Sequence, residues 1–426
     1  MKVRRLVLAF LFGLGLITFL DRICFSVAGS RIIGELKLDS QQWGWAQGVF
    51  ILGYGLLQIP LGALADKHGQ RLVLSAIVLW WSLFTLLTGV VGGFASLLAV
   101  RFLFGMGEAG AYPAMSGVVA RWFPTGERGL AQGVLWGASR LGGALSPLIV
   151  VPVQQRYGWR VAFFGLGALG VLWVAAWWLW FRDRPEEKPG VTPAELAEIN
   201  AGKPPAAKLS VPWRRIFAAP QMWLIVVMYF FYVFGSWFYF TWMPTYLEKG
   251  RHFSENEMKY FYALPFLLAV FSNIGGGLLS DALSRLYGRR VGRVFIGTGS
   301  LALAAVCLTL TATLPAAHHL GIGIAVTLGL GIMDCMLPCA WAICLDVGQK
   351  YAGTVSGAMN TAGSLGGFLC ATLFGWAVKE TGNYNLPVLG IAAGVAISAL
   401  LFAWLRPDRP LVPDESDPSS PLKPQT

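Results

Sequence analysis

Long apolar runs, each close to the length of a membrane-crossing helix, dominate the pattern of hydrophobic and polar positions along the chain. A helix needs about 20 apolar residues to cross the hydrocarbon core of a bilayer. Twelve runs reach that length, at residues 6–28, 43–64, 72–92, 96–119, 130–152, 160–181, 221–246, 259–280, 294–314, 320–345, 353–378 and 386–405. The pattern predicts an all-α membrane protein with twelve transmembrane helices in a lipid bilayer.

A polar segment rich in proline and charge divides these runs six and six. We expect an N-terminal six-helix half at 1–181, a cytoplasmic linker at 182–219, a C-terminal six-helix half at 220–405, and a disordered cytoplasmic tail at 406–426. The first run lacks a small-residue cleavage site, so it is predicted to be helix 1 rather than a signal peptide.

Composition and charge support a membrane protein. Only 13% of the residues are charged, against about 25% in a typical soluble domain. The net charge of +11 does not indicate nucleic-acid binding, because the lysines and arginines cluster in short loops between the apolar runs. With the N-terminus inside, 22 of them lie on the cytoplasmic side, 8 outside and 3 within the membrane. This asymmetry predicts a multi-pass protein of the inner (plasma) membrane with both termini in the cytoplasm.

The cysteines and histidines offer no site for a metal or for catalysis. All six cysteines fall inside apolar runs, without CxxC spacing or a histidine partner. They are predicted to be small buried residues, and neither a disulfide, a metal nor a cofactor is expected. No GxSxG or HExxH motif occurs, so the chain is not expected to be an enzyme.

The two halves repeat one another. Residues 62–66 (GALAD) follow helix 2 as residues 277–281 (GLLSD) follow helix 8. Six positions entering helix 5 recur in helix 11 at one constant offset: Gly129, Gly133, Leu141, Gly142, Gly143 and Leu145 fall on Gly353, Gly357, Leu365, Gly366, Gly367 and Leu369. Duplicated halves imply a pseudo-twofold axis along the membrane normal, with the substrate between them.

Residues 62–71 resemble the signature loop between helices 2 and 3 of the major facilitator superfamily, and the likeness extends over nearly the whole chain. More narrowly, the chain resembles the anion:cation symporter branch. That match rests on Asp21 with Arg22, on Tyr54 with residues 58–60, on residues 101–108, and on residues 241–247. The resemblance implies the major facilitator fold and the transport of sugar acids, other organic anions or inorganic phosphate.

The resemblance also implies a gate at the cytoplasmic helix ends, formed by Asp66, Arg71 and Asp281. Asp66 and Asp281 would then form contacts that break and reform as the two halves rock. The alternative is that both are solvated loop acids that cap helix N-termini.

Six ionisable residues lie well inside the predicted helices, where a charge costs at least about 2.5–3.5 kcal/mol. They are Asp21, Arg22, Arg101, Glu108, Arg140 and Asp334. Arg101 and Glu108 are seven residues apart and share a helix face, with Cα atoms about 10.5 Å apart. Gly105 lies between them and is expected to leave room for a ligand.

Arg22 and Arg101 are predicted to bind a substrate carboxylate, because a guanidinium recognises a carboxylate with two parallel hydrogen bonds. Asp21, Glu108 and Asp334 are predicted to couple protons to transport. Arg140 is either a third substrate contact or the partner of Asp334.

Further substrate contacts are expected from polar positions at helical spacing. These positions are Tyr54 and Gln58 on helix 2, Trp136 beside Arg140 on helix 5, and Asn360 and Ser364 on helix 11. Asn360 and Ser364 occupy the repeat-equivalent positions of Trp136 and Arg140. Hydroxyl and amide donors of this kind suit the polyol chain of a sugar.

These features predict a monomeric transporter that imports a sugar acid (hexuronate, aldonate or aldarate) together with protons. One alternative is an organophosphate–phosphate exchanger. It is disfavoured because all three membrane arginines lie in the first half and helix 7 has none. A second alternative, a non-transporting membrane sensor, is disfavoured by a linker too short for an output domain.

Overall fold

The computed structural model describes residues 2–124, 127–200 and 212–411, so most of the predicted disordered tail lies outside it. The helices that cross the bundle are labelled α1 to α12. The first half comprises α1 (Val3–Val27), α2 (Ser40–His68), α3 (Gln70–Thr88), α4 (Phe94–Glu108, continued by Ala111–Trp122), α5 (Arg128–Tyr157) and α6 (Trp159–Trp180). The second half comprises α7 (Pro220–Thr241), α8 (Glu255–Tyr287), α9 (Arg289–Thr313), α10 (His319–Met333, continued by Met336–Gly348), α11 (Ala352–Thr381) and α12 (Asn385–Ala403).

Shorter helices and turns join these segments. They are Gly29–Glu35, Pro185–Glu187, Pro193–Asn200, Trp213–Ala218, Met243–Thr245, Tyr246–Gly250 and Gln349–Tyr351. Among the residues that the structure describes, eleven of the twelve long segments are long and apolar enough to cross a membrane. The other is α2, whose 29 residues span about 43 Å. The predicted all-α membrane fold with two six-helix halves is confirmed.

Two predicted helices are interrupted at equivalent places in the two halves. The run at 96–119 breaks at Ala109 and Gly110, and the run at 320–345 breaks at Asp334 and Cys335. Both breaks lie near the middle of the bundle. The first directly follows Glu108, and the second contains Asp334. Hydropathy did not reveal them, because the residues at each break are mostly small or apolar.

The glycines of the internal repeat allow two pairs of helices to pack at backbone contact. A Cβ atom at Gly142 would stand 2.4 Å from the carbonyl oxygen of Leu16, and one at Gly366 would stand 2.4 Å from that of Phe230. No side chain fits at either position. The repeated glycines therefore bring α5 against α1 and α11 against α7 in the same way.

The prediction that Gly105 leaves room for a ligand is wrong. A Cβ atom there would lie 2.1 Å from the carbonyl oxygen of Phe50, so Gly105 is the point at which α4 packs directly on α2. It leaves no room for a ligand, because the backbone of the neighbouring helix already occupies that space.

The two ends of the bundle differ. We call the end that carries the start of α1 and the end of α12 the termini end, and the opposite end the distal end. At the distal end α2 and α11 touch, because a Cβ atom at Gly44 would lie 2.7 Å from the oxygen of Ala371 and one at Gly375 would lie 2.3 Å from that of Ser40.

Ion pairs between the halves reinforce this distal contact. Arg31 donates two hydrogen bonds of 2.9 Å to Glu255 at the start of α8. Gln155, at the end of α5, donates to the same carboxylate at 3.0 Å. On the other side, Lys379 of α11 lies 3.1 Å from Asp39, which caps α2. The distal end is therefore closed.

The termini end is open between the halves. Gly129, Gly133, Trp136 and Arg140 form one stripe along α5, and Arg140 faces the second half. Near the termini end, a Cβ atom at Gly129 or Gly133 would meet no other heavy atom within 4 Å, and the same holds for Gly353 on α11. A cleft between the halves therefore opens toward the termini end.

Candidate functional site

The six ionisable residues predicted inside the helices are brought to the middle of the bundle by α1, α4, α5 and the break in α10. Five of them expose 8% of their surface or less: Asp21, Arg22, Arg101, Glu108 and Asp334. The side chain of Arg140 exposes 11%. Charges in such surroundings must be paired, neutralised or matched by a ligand.

Arg22 on α1 pairs with Glu108, the last residue of the first segment of α4. Its Nε atom donates to Glu108 Oε2 at 3.3 Å, and its Nη2 atom lies 3.2 Å from the same oxygen. The guanidinium carbon lies 5.1 Å from the centre of the Tyr54 ring, so this predicted substrate contact adjoins the pair. Glu108 Oε1 accepts no hydrogen bond from a described residue. The pair is incompletely satisfied, so a proton or an anion can compete for its partners.

Arg101 on α4 has no carboxylate partner within the described ranges. Its guanidinium carbon lies 4.0 Å from the centre of the Phe25 ring, and its Nε atom makes no hydrogen bond. A guanidinium remains protonated in proteins, so Arg101 is a buried cation. An aromatic face stabilises such a cation by about 0.5–2 kcal/mol, less than the several kcal/mol that burying an ion costs. Arg101 does share a helix face with Glu108, but Glu108 turns to Arg22 instead.

Asp21 precedes Arg22 in sequence but does not join its ion pair. Neither carboxylate oxygen of Asp21 accepts a well-aligned hydrogen bond from the residues that the structure describes, although the residue exposes only 2% of its surface. The indole N–H of Trp81 is the donor that lies next to this carboxylate, and the Glu108 carboxylate is close enough to repel it. Asp21 is therefore a second buried acid near the Arg22–Glu108 pair.

An aromatic wall lines the open side of the site. Tyr112, in the second segment of α4, stacks on Trp136 of α5 with ring centres 4.8 Å apart and planes 10° apart. Its hydroxyl shares a hydrogen bond with Ser139. Trp136 exposes 46% of its surface, so it is accessible from the cleft, as its predicted role requires. Ser139 was not predicted, because a lone serine in an apolar run carries no distinctive signal.

Arg140 pairs with Asp334 across the interface between the halves. Arg140 Nη2 lies 2.7 Å from Asp334 Oδ2. The Tyr232 hydroxyl donates to Asp334 Oδ1 at 2.9 Å, and the Asn273 amide donates to Oδ2 at 3.1 Å. The sequence left two roles for Arg140, a substrate contact or the partner of Asp334. In this conformation Arg140 is paired with Asp334. Tyr232 and Asn273 were missed, although each is a polar side chain within an apolar run.

The remaining predicted substrate contacts are half-buried and make no hydrogen bond to an arginine within the described residues. The Ser364 hydroxyl donates to the carbonyl oxygen of Asn360 one turn earlier, at 3.2 Å. Gln58 lies one turn beyond Tyr54 on α2 and is also half-buried. These side chains lie on helices that border the cleft.

Arg71 and Asp281, the predicted gate residues whose side chains the structure describes, make contacts within their own halves. Arg71 donates to the carbonyl oxygen of Trp178 at 3.1 Å and lies 4.4 Å from the centre of its ring. Asp281 pairs with Arg293 at 2.7 Å. The side chain of Asp66 lies outside the described part of the structure. Separate contacts in each half agree with an open termini end.

The signature loop is also fixed by the start of the linker. The carboxylate of Asp183 accepts from the backbone N–H groups of Gln70 and Arg71, at 2.6 and 3.0 Å. Gly69 joins α2 to α3 with a φ of 91°, and a Cβ atom there would lie 2.5 Å from Asp183 Oδ2. Glycine is therefore required at this turn.

A second open space has a different character. A groove of about 620 Å³ runs between α9 and α12, away from all of these charges, and is lined by aliphatic residues such as Ala302, Val306 and Leu389. Such a lining suits lipid acyl chains and offers nothing to an anion.

The chain is similar to known membrane transporters over most of its length. The family model described as Major Facilitator Superfamily matches residues 11–371. The chain is 34% identical over 412 residues to the probable sulfoacetate transporter of Cupriavidus necator, covering 95% of this chain and 94% of that protein. It is 30% identical over 412 residues to the hexuronate transporter of Bacillus subtilis, covering 95% of each.

Among solved structures, a bacterial homologue of the human lysosomal transporter Spinster, in an inward-facing and occupied conformation, matches with a TM-score of 0.77. The match covers 94% of this chain and 96% of that chain at 20% identity, so the likeness concerns the fold alone.

Proposed function

Because the chain belongs to the Major Facilitator Superfamily and is a transporter rather than an enzyme, we propose that it imports a small organic anion by proton symport, with a sugar acid (hexuronate, aldonate or aldarate) as the first candidate. The observation that carries this proposal is Arg101, a buried cation without a carboxylate partner in the described structure. The guanidinium carbons of Arg101 and Arg22 lie 4.9 and 5.2 Å from the centre of the same ring, that of Phe50. An anionic group between them would supply the missing negative charge.

Glu108 provides the coupling. While it is ionised it holds Arg22 through their ion pair, and it competes with the substrate anion for that guanidinium. A proton on Glu108 removes the competitor and frees Arg22. Proton and anion then favour each other's binding by the same factor. On the side with the higher pH, Glu108 loses its proton, recovers Arg22 and expels the anion.

Asp21 and Asp334 are the further acids of the coupling scheme. Asp21 is buried next to the Trp81 indole and the Glu108 carboxylate, without a cationic partner among the described residues, and ionising a carboxyl group in such a place is costly. The neutral form is therefore favoured whenever the site is closed to water. Asp334 differs because three donors surround it.

The half-buried donors around the cleft suit the rest of such a substrate. Tyr54, Gln58, Asn360 and Ser364 can bond to hydroxyl groups, and Trp136 presents an exposed aromatic face to a sugar ring. The relatives named for hexuronate and sulfoacetate both concern small organic anions that carry a carboxylate.

The proposed orientation places both termini on the cytoplasmic side of a bacterial inner membrane, by analogy with the two bacterial relatives described above. The open termini end would then face inward. When it closes, we expect Arg71 and Asp281 to exchange their present partners for contacts between the halves, and Asp66 to join these contacts. The protein is expected to work as a monomer.

The test is uptake by purified protein in liposomes with an alkaline interior, using glucuronate, galactonate, galactarate and sulfoacetate. We expect the wild type to concentrate at least one of them when the pH step is imposed, and only then. Glu108→Gln should keep counterflow exchange, because the amide resembles the protonated acid, and should lose accumulation. Glu380→Gln, an exposed acid at the end of α11, is the matched control and should behave like the wild type.

Three results would contradict this scheme. Accumulation by Glu108→Gln would transfer the coupling role to Asp21 or Asp334. Uptake that needs internal phosphate and ignores the pH step would identify an exchanger. No uptake of any of the four anions under any gradient would remove organic-anion transport altogether.

A further inference from the structure

Asp334 is unusual among the buried acids, because two neutral donors hold it in addition to its cation. Tyr232 donates to one oxygen at 2.9 Å, and Asn273 and Arg140 share the other at 3.1 and 2.7 Å. If Arg140 moved away, the carboxylate would keep two hydrogen bonds. Glu108 would keep no hydrogen bond if its cation moved away. Among the described residues its donor is Arg22, and its second oxygen accepts no hydrogen bond.

Arg140 is held on one side only. Its partners within the described residues are the Asp334 carboxylate and the ring of Phe240, whose centre lies 5.4 Å from the guanidinium carbon. Its side chain keeps 11% exposure and lies on the same α5 stripe as the exposed Trp136 and the open position at Gly133. This exposure and the open stripe give the Arg140 guanidinium a route from Asp334 into the cleft.

Two aromatic rings separate Arg140 from the site proposed for the anion. The guanidinium carbon of Arg22 lies 5.0 Å from the centre of the Phe19 ring, and the centres of Phe19 and Phe240 lie 5.9 Å apart. Arg140 packs against the far ring of this pair. Tyr112 of the aromatic wall is an electrostatic neighbour of both guanidinium groups. Once the Arg140 side chain turns from Asp334, an extended small molecule that runs past Tyr112 would approach Arg22 with one end and Arg140 with the other.

The balance of charges in the closed site favours a substrate with two negative charges. With Asp21 and Glu108 protonated, as the coupling scheme requires, the centre holds three arginines and one carboxylate, Asp334. A net charge of two in a medium of low dielectric constant is strongly unfavourable. A substrate with two negative charges would restore neutrality, whereas a monoanion would leave one charge uncompensated.

We propose that Arg140 binds a second anionic group of the substrate and that Asp334 occupies its place while the transporter is empty. The inference rests on the proposed function and narrows its substrate class to small organic dianions, such as aldarates and sulfocarboxylates. One anionic group would lie at Arg22 and Arg101, and the other at Arg140. Arg140 is thus the residue that distinguishes a dianion from the matching monoanion.

The test uses the full-length purified protein and isothermal titration calorimetry with two matched pairs of probes, galactarate against galactonate and sulfoacetate against methanesulfonate. For whichever pair of probes binds, the affinity of the wild type for the dianion should exceed that for the monoanion at least tenfold, equivalent to about 1.4 kcal/mol. Arg140→Gln should weaken dianion binding at least tenfold and change monoanion binding less than threefold. Arg156→Gln, the same change at an exposed position of the same helix, should alter neither.

A second variant tests the proposal if Arg140→Gln does not fold. Asp334→Asn can still bond to Tyr232 and Asn273 but no longer competes for Arg140. Its affinity for the dianion should rise at least threefold, with that for the monoanion unchanged. In the double variant, Arg140→Gln with Asp334→Asn, no preference for the dianion should remain.

Results opposite to these would show that the Arg140–Asp334 ion pair has only a structural role. Equal losses for both members of a pair in Arg140→Gln, or recovery of dianion affinity in the double variant, would overturn the inference. A wild type that binds monoanions as tightly as dianions would overturn it while leaving the proposed function intact. A wild type that binds none of the four probes would overturn both.

Discussion

At the scale of single side chains, the buried charges of the first half consist of one ion pair and one unpaired cation. Arg22 pairs with Glu108, whereas Arg101 forms no ion pair with a described residue and lies against aromatic faces. A protein gains no stability from burying an unpaired guanidinium. The arrangement makes sense if an anion completes it, and the planar guanidinium then matters as much as its charge.

We therefore expect Arg22→Lys and Arg101→Lys each to weaken binding of the preferred organic anion at least tenfold, about 1.4 kcal/mol. The ammonium group keeps the charge but cannot form two parallel hydrogen bonds to a carboxylate. Calorimetric titration measures the effect, with Arg156→Lys at an exposed position as the control. Affinities unchanged from the wild type in both variants would exclude these two arginines from the site.

At the scale of elements, the segment that follows α7 closes the distal end. The turn Tyr246–Gly250 places Glu248 in a largely enclosed position near the Arg31–Glu255 ion pair. Burial raises the pKa of Glu248 to about 7, and the nearby Glu255 carboxylate adds to the increase, although Ser30, Lys249 and Arg31 oppose it. An acid that changes charge near neutral pH therefore sits beside the contact that holds the halves together.

This raised pKa has a consequence for stability. A free glutamate titrates near pH 4.3, so between about pH 4 and 7 the folded protein binds more protons than the unfolded chain. The contribution of Glu248 to the stability of the folded protein must then fall as the pH rises through that range and level off above about 7. Glu248→Gln should remove this part of the pH dependence.

The measurement is the thermal unfolding midpoint of wild type and variant at pH 5 and pH 8. The wild type should lose more stability than Glu248→Gln on going to pH 8, and Glu380→Gln should follow the wild type. If wild type and Glu248→Gln show the same slope, Glu248 does not titrate in this range.

At the scale of the whole molecule, ion pairs at equivalent places on either side of the pseudo-twofold axis close the distal end. Arg31 with Glu255 lies at the contact of α5 and α8, and Lys379 with Asp39 lies at the contact of α2 and α11. No such link joins the halves at the termini end among the described residues. The molecule is thus in one of the two states that alternating access requires, with the Arg140–Asp334 pair between the closed and the open end.

The distribution of lysines and arginines predicts the orientation of this state in the membrane. We expect an engineered cysteine at Glu380, at the distal end, to react with a membrane-impermeant maleimide added to intact cells. A cysteine at Glu187, in the linker, should react only after the cells are lysed. The unsubstituted protein, with its native cysteines, provides the background. The reverse pattern of labelling would place the termini outside.

The amino-acid sequence by itself determined the helices, the two halves and the positions of the buried charges. Each of these follows from a requirement that acts locally, because lipid demands about 20 apolar residues in a helix and makes every interior charge conspicuous. The repeat was visible because Gly142 and Gly366 fill the same steric role in each half.

Only the tertiary structure decided the partners of those charges. Whether Glu108 turns to Arg101, seven residues away in its own helix, or to Arg22 on α1 depends on how α1, α2 and α4 are rotated against one another. Those rotations are set by backbone contacts such as that of Gly105 with Phe50, which hydropathy does not encode. The Arg140–Asp334 pair and the closed distal end depend further on how the two halves are tilted. That tilt changes during transport, so one sequence must be compatible with more than one set of contacts between the halves.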